Sequence, residues 1–174
     1  MTTIQDYIKQ NNITETAVKR TDSGVPVIGM PFPPGWVDAG ANTPAWSFGA
    51  ILFSTPKDPQ QPPNIIAAMS KLTGNVDPAK ILELAPGQLN ELPEFTPREA
   101  PHSDKVGGYD AIDYVGSYMW EGQRRLVGQQ TIVIPGNDAL FVLQINGEAP
   151  DGQGQPVVDA IKLMNEQTKI TLPS

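Results

Sequence analysis

Alternation of apolar and polar residues is cleanest in the second half of the chain, where Asp110 to Trp120, Gln123 to Ile134 and Ala139 to Asn146 each read as a strand. Glu121-Gly122 and Pro135 to Asp138 separate them with turn chemistry, so the three form an antiparallel meander. The period then changes. Val157, Ile161 and Met164 recur at i, i+4 and i+7, the stripe of a helix that packs on a sheet. In the first half, Thr2 or Thr3 caps a short helix that turns Ile4, Tyr7 and Ile8 to one side and closes an edge of the core. Ile13 to Lys19 and Val25 to Met30 read as strands, the second stopped by Pro31, Pro33 and Pro34. Trp46 to Ser54 is a strongly apolar strand, Pro56 to Pro63 a rigid polar loop and Ile65 to Leu72 a further strand. Asp77 then caps a helix with Pro78 at its first position, where an N–H would be unpaired anyway, and Pro86-Gly87 ends the turn before a second one. Pro93 to Gly108 reads as a mobile surface excursion, and Gly147 to Pro156 as a flexible connection. Mostly antiparallel strands with separated helices predict an α+β fold, one domain over residues 1–174.

Strand parity sharpens this. A four-residue loop over Pro135 to Asp138 pairs Ile134 with Ala139, and sets Ile132 opposite Phe141, Gln130 opposite Leu143 and Gln129 opposite Gln144. With a two-residue loop at Glu121-Gly122, Tyr114, Gly116, Tyr118 and Trp120 share a face with Val127, Gln129, Val142 and Gln144. The opposite face collects Val115, Met119, Leu126, Ile132, Phe141, Leu143 and Ile145, a core surface for the helix carrying Ile161 and Met164. The mixed face is the candidate binding wall, with Tyr118, Trp120, Gln129 and Gln144 as its site residues. Aromatic rings offer flat apolar surface to sugar rings or acyl chains, while amides both donate and accept hydrogen bonds. The competing reading packs the aromatics beneath a helix and turns the amides to water. Trp36 and Trp46, each where the chain enters or leaves a strand, read as seals of the core edge more readily than as groups beside a cleft.

Composition narrows the chemistry. At 174 residues the chain is long enough for a core without cross-links, and 39% hydrophobic residues with a mean hydropathy of −0.26 indicate a globular, soluble body. No stretch approaches the roughly 20 apolar residues of a membrane-spanning helix. A net charge of −7, with Lys19-Arg20 and Arg124-Arg125 as the adjacent basic pairs, argues against binding a phosphate backbone. Without cysteine, thiol catalysis and cysteine–metal sites are excluded. His102 is the sole histidine, set in a loop with nothing visible to orient it for general acid–base work. The 19 acidic residues are dispersed and do not follow a calcium-loop pattern, and Gly152-Gln153-Gly154 lacks the further residues of a phosphate loop. No catalytic residue, metal site or cofactor is expected.

The blocks PFPPGW at Pro31 to Trp36, TPAWSFGAILF at Thr43 to Phe53, SKLTGNVDPAKILELAPGQLNELPEF at Ser70 to Phe95 and RRLVGQQTIVIPGNDALFVLQIN at Arg124 to Asn146 together resemble the mycobacterial LpqN/LpqT lipoprotein family, over nearly the whole chain. The resemblance implies a PsbP-like α/β/α sandwich. It also implies a non-catalytic protein of the outer envelope that binds a glycolipid of the trehalose-mycolate type and works with MmpL-type transporters. The alternative is an envelope protein–protein interaction adaptor without a small ligand. Family members carry a signal peptide and a lipid-modified cysteine. This chain begins Met1-Thr2-Thr3-Ile4, so it reads as a mature extracytoplasmic domain given a start methionine, or as a homologue retained inside, and the resemblance favours the first. A monomer is expected.

Overall fold

A computed structural model describes residues 2–173. The first helix, α1 (Ile4–Gln10), is capped by Thr3: its hydroxyl accepts from the Asp6 N–H at 3.1 Å, and the Asp6 carboxylate accepts from the Thr3 N–H at 3.1 Å. With Thr2 also donating to it, that carboxyl is held down at about 2. Strands β1 (Thr14–Val18), β2 (Val27–Gly29), β3 (Trp36–Asp38), β4 (Gly49–Phe53) and β5 (Asn64–Thr73) follow. The helical pair α2 (Pro78–Leu84) and α3 (Gly87–Asn90) comes next, with Asp77 accepting from the Ala79 N–H and Pro78 in the first turn as expected. The chain continues through β6 (Thr96–Pro97), β7 (His102–Val106), β8 (Tyr109–Trp120), β9 (Gln123–Pro135) and β10 (Leu140–Pro150), then α4 (Gln155–Gln167) and β11 (Lys169–Thr171).

One antiparallel sheet runs in the order β3-β4-β5-β10-β9-β8-β6, with β1 sharing an edge of β5 with β4, and β7 lying beside β6 along β8. A small second sheet joins β2 to β11. On one face of the large sheet Leu126, Ile132, Phe141, Leu143 and Ile145 are buried together with Val157, Ala160 and Met164 of α4 and with Trp36 and Ile28. Helix α4 comes so close that a Cβ on Gly147 would meet Val157 Cγ1 at 2.5 Å, which is why a glycine stands in mid-strand there. On the other face α1 and α2 cover Leu72, Val133, Leu140 and Val142, and α3 places Leu89 against Tyr114, Tyr118 and Val127. The expected α+β sandwich, with helices on both faces of an antiparallel sheet, is thus observed.

Four expectations are corrected. The β9–β10 loop is four residues long but starts one residue later, at Gly136, whose N–H donates to the Ala139 carbonyl. Pro135 stays in the strand, where the end position tolerates its missing donor. Register therefore moves by two: Ile134 faces Phe141, Ile132 faces Leu143, Gln129 faces Asn146 and Gln144 faces Thr131, so the two glutamines are not cross-strand partners. An even shift preserves facing, and both side-chain sets fall on the expected sides. Pro93 to Gly108 is not an excursion: it folds back as β6 and β7 because the edge of β8 presents backbone groups that need partners. Residues 147–150 continue β10 rather than opening a flexible link. Trp36 is 5% exposed and packs on Phe53 at 5.6 Å, whereas Trp46, held in a turn before β4, is 59% exposed and seals nothing. Two short strands, β3 and β11, carry too few residues for alternation to show.

Candidate functional site

Because α1, α2 and α3 cover only one end of their face, the other end stays open. Consecutive same-face positions of five strands line it: Ala50 and Leu52 of β4, Asn64 and Ile66 of β5, Glu148 of β10, Arg125 and Gln123 of β9, and Tyr118 and Trp120 of β8. Gln60 and Gln61, from the loop before β5, and Asn42 and Pro44 wall a cleft of about 760 Å³. Further along β5 the next same-face residues, Ala68, Ser70 and Leu72, line a second cleft of about 430 Å³ with Ile4 and Ile8 of α1, Val142, Gln144 and Gln88. Thr3, Gln5, Glu15 and Glu91 also line it, so this face offers a compartment with an aromatic mouth and a second one of mixed polar and aliphatic walls.

The four expected site residues share one face but not one cavity. Trp120, 55% exposed, stands at the mouth of the larger cleft. Tyr118 is buried beside it and its hydroxyl donates to Glu148 Oε1 at 2.5 Å. Burial first, and then that carboxylate, push the phenol up to about 12, which keeps it a donor. Gln144 lines the second cleft and donates to Thr131 Oγ1 at 3.3 Å. Gln129 lies buried between them with its amide donating to Gln88 at 3.0 Å and to Asn146 at 2.9 Å, a strut that ties α3 to the sheet. Tyr114 likewise donates to Asn90 at 2.6 Å beneath α3.

Sequence reasoning missed the polar centre of the larger cleft. Arg125 is 8% exposed, with Nε 3.7 Å from Glu148 Oε2 and Nη1 donating to Gln61 Oε1 at 3.2 Å. Its parity with Tyr118 and Val127 was a usable signal. Glu148 gives none, because Gly147 and Pro150 mark a strand end at Asn146 in the sequence, and Gln61 comes from a loop.

On the other face, β7 places His102 opposite Asp113 rather than in a loop, with Nδ1 3.7 Å from Asp113 Oδ2. Asp104 joins them, the three offering donor atoms within 4.8 Å of one another, but the imidazole is 69% exposed. Burial raises the Asp113 carboxyl to about 6, opposed by the hydrogen bond from Gln130 and reinforced by Asp104.

An antiparallel sandwich whose one sheet face is left half open is the class of protein these elements define. The chain belongs to the family described as probable lipoprotein LpqN, whose match spans residues 1–171. Lipoprotein LpqN of Mycobacterium tuberculosis is 43% identical over 171 residues, which cover 97% of this chain and 74% of that protein. The crystal structure of M. tuberculosis LpqN, described as involved in cell envelope biogenesis, matches with a TM-score of 0.92 at 42% identity, covering 97% of each chain. The Saccharomyces cerevisiae Ran-binding protein Mog1p matches with a TM-score of 0.52 at 14% identity over 90% of this chain and 95% of its own, a likeness of fold alone. LpqN of M. tuberculosis is thus a lipoprotein involved in cell envelope biogenesis, and no helix among the described residues of this chain is long and apolar enough to cross a membrane.

Proposed function

We propose that this chain is a non-catalytic, extracytoplasmic envelope protein that captures a glycolipid of the trehalose-mycolate type and acts with MmpL-type transporters in envelope lipid transport. It works as a monomer without a cofactor. The observation that carries this reading is the larger cleft, where an exposed indole stands beside amides and an ion pair between buried Arg125 and part-exposed Glu148. Such a surface stacks on a sugar ring and satisfies its hydroxyls. The second cleft on the same face, where Ile4 and Ala68 stand among polar side chains, is the place this reading gives the acyl carbons. Of the expected site residues, Tyr118 and Trp120 hold the head group, Gln144 lies along the chain's path, and Gln129 acts by holding α3 in place. An amphiphile of this kind would move through the groove by capture and release, with no bond made or broken.

Binding to the folded state alone raises stability by mass action, by about 2.7 kcal/mol at a free ligand concentration of 100 times Kd. Thermal unfolding with and without a trehalose glycolipid, with native mass spectrometry to count bound molecules, is the deciding measurement. A melting temperature indifferent to saturating glycolipid would overturn capture. The exposed Phe32 and Trp46 would then favour the second reading, an adaptor that docks a protein partner.

A further inference from the structure

We propose that the Arg125–Glu148 pair in the larger cleft selects uncharged polyol head groups and excludes phosphorylated ones, a property of the groove that rests on the glycolipid reading above. The cleft is polar, but its cation is already paired. Among the described residues that line it, Arg125 is the one cation, set against Glu148 and Glu121. The guanidinium is nearly enclosed, its side chain 10% exposed, with Glu148 Oε2 at 3.7 Å on one side and Gln61 Oε1 at 3.2 Å on another. Tyr118 fixes the other carboxylate oxygen, so Glu148 cannot turn aside without leaving a buried phenol unpaired.

A phosphate entering this place would have to compete with Glu148 for Arg125 while lying against a carboxylate, which costs more than the exchange returns. A vicinal diol meets no such conflict. One hydroxyl donates to Glu148 and accepts from Arg125, and its neighbour reaches the amides of Gln61 or Gln123. Trp120 supplies the apolar ring face that a sugar needs and a phosphate does not.

Dodecyl maltoside and dodecyl phosphate carry the same chain on an uncharged and an anionic head. Isothermal titration of each below its micelle concentration, into wild type, Glu148→Gln and Arg125→Gln, separates the two ideas. Wild type should prefer the maltoside by about tenfold or more, and Glu148→Gln, which frees the guanidinium, should gain about tenfold for the phosphate. Arg125→Gln should lose the maltoside and gain nothing for the phosphate. Wild type that binds both heads alike, or that prefers dodecyl phosphate, overturns the selectivity and leaves amphiphile capture standing. So does a folded Glu148→Gln with no gain for the phosphate. Wild type that binds neither overturns capture, and selectivity with it. Circular dichroism monitors the fold of each variant. If Glu148→Gln unfolds, the wild-type ratio and Arg125→Gln decide the matter, and a gain of phosphate by Arg125→Gln would refute it.

Discussion

Beneath α4, Ile132, Leu143 and Ile145 are at most 1% exposed, whereas on the reverse of the same strands Trp120 is 55% exposed and Arg125 and Glu148 sit in an open cleft. Helix length explains the contrast. Strand β9, with 13 residues, is roughly 43 Å long, while seven-residue α2 covers about 10 Å of it. Helix α4, also 13 residues, reaches about 20 Å, and β2 and β11 extend the closure on its side. One face is completed by its helices and the other is not, so alternate residues of one strand meet different demands: shape filling on one side, hydrogen-bonding chemistry on the other.

The largest effect should come from the closed face. Phe141, 3% exposed in the α4 core, should cost about 3–5 kcal/mol when changed to alanine, read as a shift of the urea midpoint at unchanged slope. A loss near 1 kcal/mol would mean that this face is not the tightly packed one.

A smaller effect, with a pH signature, belongs to the edge of that face. The Asp113 carboxyl rises from its ordinary 3.8 to about 6, mainly through burial. The folded state therefore holds this proton more tightly than the unfolded chain does. Its contribution is favourable below 3.8, is lost as pH climbs through 6, and above that the ionised carboxylate is a net cost. Asp113→Asn keeps a hydrogen-bonding partner for Gln130 and removes the charge. It should be about 1 kcal/mol more stable than wild type at pH 8, with the gain vanishing towards pH 3.5. A gain that is the same at both ends, or a loss at pH 8, would show that burial does not govern this group.

The sequence carried the closed face further than the open one, for physical reasons. Alternation over β8, β9 and β10 placed Leu126, Ile132, Phe141, Leu143 and Ile145 on the core side, and Asp77-Pro78 and the period of α4 located two helices, because burial and capping leave local traces. Parity also brought Tyr118, Trp120, Gln129 and Gln144 to one face. Parity does not say where a covering helix stops. So nothing local showed that α3 would enclose Gln129 while Trp120, nine residues away along the chain, stays in the open. The edge strands β6 and β7 were hidden for a related reason: their prolines and polar residues look like a loop, and only the unpaired edge of β8 makes strands of them.

The smallest effect on stability, and the most informative on function, is expected at Trp120. Its indole lies at the open end, more than half exposed, so Trp120→Ala should change unfolding free energy by no more than about 0.5 kcal/mol. If the ring stacks on a sugar, the same change removes apolar contact from the bound state. Affinity for a trehalose glycolipid should then fall by about 1 kcal/mol or more, roughly fivefold. His102→Ala is the control, since the imidazole is on β7 at the far edge, beside Asp113, on the face opposite the cleft. It should leave binding unchanged. Titration of wild type and the two variants with the same glycolipid separates the regions directly. If Trp120→Ala binds as wild type does and His102→Ala does not, the site lies along the β7 edge, and the open half-face is a surface without a ligand.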